Sequence, residues 1–172
     1  YTTNFSDYTA FGTISGNSIT WNAGTVLPAA VDHRRITQLS DGRVFCAGGL
    51  TATSYSASAW FGSISGNTIT WVSPATAMPA AMSGAVVAPL KDGRVIVAGG
   101  NAAVNAAYVC NWNPDSSAID WETWSGESVA SAYTSGHVLP DGRLLVISGY
   151  ISIGVVTDSV RFVTSSTKGI KT

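Results

Sequence analysis

Three groups of residues in this chain have types and spacings that chemistry could use. Arg43, Arg94 and Arg143 each follow an Asp-Gly pair, and together could present positive charge on one face. Trp21, Trp71 and Trp121 recur every fifty residues and could stack on sugars. Asp32 and His33 are neighbours, the smallest unit from which an acid–base pair could be built. Each has a plainer reading. An arginine at every turn lays its stem over apolar surface and keeps the turn soluble. A tryptophan at the same place in successive units packs between them, with its indole N–H satisfied locally. Adjacent residues of a strand project to opposite faces, which argues against a working Asp32–His33 dyad. His33 and His137 occupy non-equivalent positions, so they do not form a matched pair of metal ligands. No HExxH, Cys-x-x-Cys, Gly-x-Ser-x-Gly or phosphate-loop pattern occurs. The residues therefore point to no catalytic group, no cofactor site and no metal site.

The elements that position these residues are legible because they repeat. Asp41-Gly42-Arg43-Val44-Phe45-Cys46-Ala47-Gly48-Gly49 returns as Asp92-Gly93-Arg94-Val95-Ile96-Val97-Ala98-Gly99-Gly100, and again from Asp141 to Gly149. A period of about fifty residues is the signature of a solenoid, a propeller or an array. Asp-Gly between runs of β-branched residues signals a hairpin, here with a tight two-residue turn at positive φ. One unit then reads as strand A (35–40), strand B (43–47), a variable loop, strand C (56–63), a tight turn at Ser65-Gly66-Asn67, and strand D (68–72). Strands C and D also occur at the start of the sequence, in weaker form from Trp112 to Trp121, and from Phe162 to Thr172. Pro28, Pro79 and Pro140 fall at edges or linkers. No stretch has a helical period.

Four short antiparallel strands per unit, a Gly-Gly and a periodic Trp describe a propeller blade. In these features the chain resembles the kelch family, including the kelch-like propeller of galactose-oxidase-type proteins. The resemblance rests on the turn before strand B, the Gly-Gly after it, a strand-C aromatic (Phe61, Trp112, Phe162) and the strand-D Trp. His33-Arg34-Arg35 is similar to the basic motif of that family, whereas the other copies have Gly84-Ala85-Val86 and Tyr133-Thr134-Ser135. The copper site of galactose oxidases, built from Tyr, His and a Cys-linked Tyr, has no positions here that match it. The expected fold is all-β, with a half blade (1–22) and three blades (31–72, 82–122 and 133–172). That makes an incomplete ring of about three and a half blades, against the usual four to eight. The expected partners are further blades, from the same parent chain or a partner subunit.

In such a ring the A–B and C–D turns share one face, and the B–C loops and D–A linkers share the other. The repeated turns mark a regular face and the irregular connections a variable one, where binding usually resides. The candidate ligand-binding residues are accordingly Tyr55, Asn101, Asn105 and Tyr150 in the loops (51–55, 101–105, 150–156). Glu122, Trp124 and Glu127 join them from the linker that departs most from the repeat. Cys46 replaces Val97 and Val146 of the other copies and Cys110 replaces Ala59, so both read as small buried apolar side chains.

The chain is 45% apolar and only 11% charged, with net charge −1. That balance offers no field for nucleic acid. No apolar run approaches the roughly 18 residues of a membrane span. The low charge and Thr/Ser/Gly/Ala richness suit an extracellular or virion-surface protein, such as a phage tail or capsid component. The function expected is a non-enzymatic binding or structural module contacting protein or glycan. The alternative is a fragment of a propeller enzyme, of the galactose-oxidase or sialidase kind, whose catalytic residues lie outside this chain.

Overall fold

The computed structural model describes residues 6–73, 76–100, 107–112, 119–124, 133–147, 150–152, 155–156 and 160–163. Among them every regular element is a strand. β1 (Ala10–Ser15) and β2 (Ser18–Ala23) form a hairpin. β3 (Arg35–Gln38), β4 (Val44–Ala47), β5 (Ala59–Ser65) and β6 (Thr68–Val72) make a four-stranded antiparallel sheet in that order. β7 (Val86–Pro89), β8 (Val95–Ala98), β9 (Ala107–Trp112) and β10 (Ile119–Trp124) repeat it. β11 (Ser135–Val138) and β12 (Leu144–Ile147) begin a third sheet. β13 (Tyr150–Ser152) and β14 (Val155–Val156) then form a small separate hairpin, where an irregular loop is expected. β15 (Val160–Val163) completes the third sheet on the far edge of β12. The expected strand D of that sheet, in 164–172, lies outside the described residues, as does the Ser148-Gly149 pair that takes the place of Gly-Gly.

The inner strands β3, β7 and β11 stand side by side, so the sheets follow one another as blades around an axis. Successive residues of a strand alternate faces, and the β7–β10 sheet buries both in its inner strands β7 and β8. Phe45, Phe61, Met78 and Met82 meet Val87, Val95, Val97 and Cys110 between the first and second full blades. Ile96, Ala98 and Val109 meet Leu144 and Val146 between the second and third. The core thus lies between sheets rather than within one.

The two turn types differ, for a physical reason. Between β5 and β6, Ser65 pairs with Thr68 across Gly66-Asn67, and Gly66 alone has positive φ. The tight turn expected here is thus a two-residue turn, with glycine in its first place. The Asp-Gly turn is wider. Leu39 N–H donates to Arg43 O and Gly42 N–H to Leu39 O, leaving Ser40, Asp41 and Gly42 as a three-residue loop. Only Gly42 has positive φ (86°). A two-residue turn would put Asp41 at positive φ as well. The longer loop instead closes with glycine alone in the left-handed region, as a bulge.

Register explains the periodic tryptophan and corrects two sequence expectations. Trp71 stands opposite Gly62, and a Cβ on Gly62 would come within 2.8 Å of the Trp71 ring. Trp21 stands opposite Gly12 in the same way. The indole lies on the seat left by the missing side chain. In the next blade Trp121 stands opposite Cys110, so Cys110 occupies the seat of Gly62 and not that of Ala59. Likewise Val109, not Trp112, is the counterpart of Phe61, because each pairs with the second residue of its strand B. The cause is the connection from Ala98 to Ala107, which is shorter than that from Ala47 to Ala59. Phe162 pairs with Leu145 and does match Phe61.

Both cysteines are buried and unbridged. Burial raises the Cys46 thiol above its ordinary pKa and pushes Cys110 up to about 12. Only the thiolate is an effective nucleophile, so neither should react with a thiol reagent at pH 8 in the folded protein. Both should react in denaturant, and a native thiol titration checks this.

Candidate functional site

The variable face is tied together by its own backbone ladder. Asp32 and Leu50 exchange hydrogen bonds, and Leu50 bridges to Tyr55. Ser56 bridges to Met82, while Gly49 N–H donates to Met82 O at 2.8 Å. D–A linkers and a B–C loop therefore do share one face, and Tyr55 lies on it beside Leu50 and Asp32.

At the start of each inner strand one residue takes a left-handed conformation: His33 (φ 53°), Gly84 (φ 64°) and Tyr133 (φ 58°). All three stand the same distance ahead of their Asp-Gly turns. Glycine adopts this conformation without strain, but His and Tyr do so at a cost of about 1–3 kcal/mol each. The three meet as a row. Gly84 N–H donates to His33 O at 3.1 Å. A Cβ on Gly84 would stand 2.9 Å from Tyr133 N. Glycine in the middle blade lets its neighbours close over it, and the His33 and Tyr133 rings touch edge-on with centroids 4.6 Å apart.

Positive φ at His33 also overturns the expectation about the dyad. The chain is not extended there, so Asp32 and His33 do not face opposite ways. Asp32 Oδ1 accepts the His33 backbone N–H at 2.7 Å. Asp32 Oδ2 lies 3.2 Å from His33 Nδ1, close enough for an ion pair but without hydrogen-bond alignment. Around the row, Ser83 Oγ, Thr134 Oγ1 and Arg35 Nε are buried without a hydrogen-bond partner among the described residues. Buried polar groups are normally satisfied, and exceptions often mark a water or a bound group. Arg34 differs, being committed to the fold through Gly48 O (3.0 Å) and Ser58 Oγ (2.8 Å).

The other sequence candidates are dispersed. Glu122 and Trp124 lie in β10, which continues past Trp121 where a linker is expected. Trp124 Nε1–H donates to Glu122 Oε2 at 3.1 Å, and Arg94 pairs with the same oxygen at 3.3 Å. The Arg94 guanidinium lies 5.3 Å over the Trp124 ring, which also packs against the core beyond. These side chains are thus engaged with one another. Tyr150 opens β13, and its side chain is outside the described residues, as are Asn101, Asn105 and Glu127.

The repeated arginines form one clip, made three times. Asp41, Asp92 and Asp141 each accept, on one carboxylate oxygen, the backbone N–H of the arginine two residues on. The other oxygen accepts its Nε–H at 2.7–2.9 Å. The arginine hydrogen bonds hold all three carboxyls below their ordinary pKa. A 260 Å³ cleft between the first two turns is lined by Asp41, Arg43, Asp92 and Arg94. Those charges are already matched, each aspartate with the arginine of its own turn.

No protein-family model matches the chain, and no curated relative does. Solved structures do resemble it. One is a fungal alcohol oxidase with catalytic diversity among the AA5 family, in complex with copper, at TM-score 0.67 and 11% identity over 91% of this chain and 36% of that one. Another is YjhT, at TM-score 0.66 and 16% identity over 86% of this chain and 47% of that one. The chain therefore spans less than half the length of either. At such identities the likeness carries the fold alone: the sheets are blades of a β-propeller.

Proposed function

We propose that the chain is part of a non-enzymatic binding module, a kelch-like propeller of an extracellular or virion surface, and that its ligand sits over the His33–Gly84–Tyr133 row. The strained row carries this reading. Backbone strain persists where its surroundings enforce it, and it clusters at ligand sites. Here two of three equivalent positions hold a ring-bearing residue in a conformation that suits glycine. The Asp32 carboxylate and His33 imidazole stand beside the Tyr133 ring, and the hydroxyls of Ser83 and Thr134 are buried next in sequence to the row. Such a surface fits a glycan or a polar peptide, with Tyr55 on the same face. A glycan array probed with the native assembly and with Tyr133→Ala tests this. Binding that falls at least about tenfold in the variant, some 1.4 kcal/mol, is the expected result. Equal binding by both, or none by either, would count against it.

The propeller is proposed to be completed by further blades, from the parent chain or a partner subunit. Exposed apolar faces support this. Trp21, Ile14 and Ile19 are 65%, 74% and 52% exposed, while Ile69, the counterpart of Ile19, is 7% exposed. At the other end of the arc Ile147 is 44% exposed where Ala98 is fully buried.

The alternative reading is a fragment of a propeller enzyme whose catalytic residues lie outside this chain, and the likeness to an alcohol oxidase supports it. Among the described residues no three His, Cys, Asp or Glu side chains converge as ligands.

A further inference from the structure

Asp-Gly is the dipeptide most open to isomerisation, because glycine has no side chain to hinder attack on the carboxyl before it. The Gly nitrogen bonds to Asp Cγ, the Cγ–O bond of the protonated carboxyl breaks, and that oxygen leaves as water with the amide proton. Water then opens the succinimide at either carbonyl. One opening restores aspartate, and the other leaves isoaspartate, with the main chain running through the former side chain. The reaction needs a protonated carboxyl, a Cγ turned toward the Gly nitrogen, and an amide N–H able to give up its proton.

The fold withholds all three, three times over. Gly42, Gly93 and Gly142 donate their N–H to Leu39, Leu90 and Leu139 O at 3.0, 3.1 and 2.9 Å. Each carboxylate is tied by both oxygens to the arginine two residues on. A carboxylate so paired stays ionised and cannot shed water. We infer that Asp41-Gly42, Asp92-Gly93 and Asp141-Gly142 are latent isomerisation sites held shut by Arg43, Arg94 and Arg143, and that Asp141-Gly142 opens first. The order follows from the clips. The Arg43 and Arg94 side chains are 20% and 26% exposed. Arg143 is 43% exposed, so water competes most for its guanidinium. Isoaspartate at Asp141 would add a methylene to the loop joining β11 to β12 and disturb that hairpin's register.

The test is residue-resolved mass spectrometry of isoaspartate after incubating the full chain at 37 °C and pH 7.4. It is run on the folded chain, the chain in urea and the folded Arg143→Gln variant. Folded chain should isomerise at least about tenfold more slowly than unfolded chain at all three turns, about 1.4 kcal/mol in barrier, with Asp141 fastest of the three. Arg143→Gln should raise the rate at Asp141 by a similar factor and leave Asp41 and Asp92 unchanged. Equal rates in folded and unfolded chain would overturn the inference. So would an Arg143→Gln rate unchanged at Asp141 or raised alike at all three turns.

Discussion

Phe45→Ala is expected to lower unfolding free energy by about 3–5 kcal/mol, the usual cost of removing a fully buried phenylalanine. Phe45 is wholly buried, its ring centroid 4.8 Å from that of Phe61, in the cluster joining the first two full blades. Nothing nearby can collapse into the space cheaply, because Phe61 and Met82 are held by their own sheet and linker. Domains are stable by only about 5–15 kcal/mol, so one substitution removes a large share. Urea unfolding measures it. A loss below about 1 kcal/mol would mean that the blades are not packed face to face as described.

Gly48→Ala should cost about 3 kcal/mol or more, by a different route. Gly48 has φ 68°, and a Cβ there would lie 2.5 Å from Met82 O. That carbonyl accepts Gly49 N–H and cannot retreat without breaking the ladder across the variable face. Backbone strain of about 1–3 kcal/mol adds to overpacking of about 1–3 kcal/mol. A thermal melt should shift down by about 6–12 °C for a chain of this size. A melt unchanged within a degree or two would show that the Gly-Gly corner is not a close backbone contact.

Much of the architecture was legible in the sequence because it depends on local chemistry repeated at a period. Asp41-Gly42 and Gly66-Asn67 each close a hairpin whatever lies elsewhere, and strand D matches its expected bounds at Thr68–Val72. Register was harder to read. Cys110 falls on the seat of Gly62 because a loop shortens between two strands, and spacing from the Asp-Gly turn cannot reveal where that occurs. The site was the least visible part. Treating Asp32-His33 as extended strand separated two side chains that positive φ brings together. A signal was present all the same. Gly84 stands where the other copies have His33 and Tyr133, and a glycine in one copy of a repeat hints at a left-handed residue in all of them. Glu122 and Trp124 were conspicuous as departures from the repeat, yet they meet Arg94 because β10 runs on beyond its tryptophan.

In the proposed function the left-handed row is a binding feature rather than a stabilising one. His33→Gly should relieve backbone strain of about 1–3 kcal/mol while losing an aromatic contact of about 0.5–1.5 kcal/mol. The most direct measurement therefore reads stability and ligand binding together, in His33→Gly and in the native protein. The expected result is unfolding free energy equal to or above that of the native protein, with glycan or peptide binding reduced at least about tenfold. A variant destabilised by more than about 2 kcal/mol that binds as well as the native protein would contradict the account, because the row would then serve the fold alone.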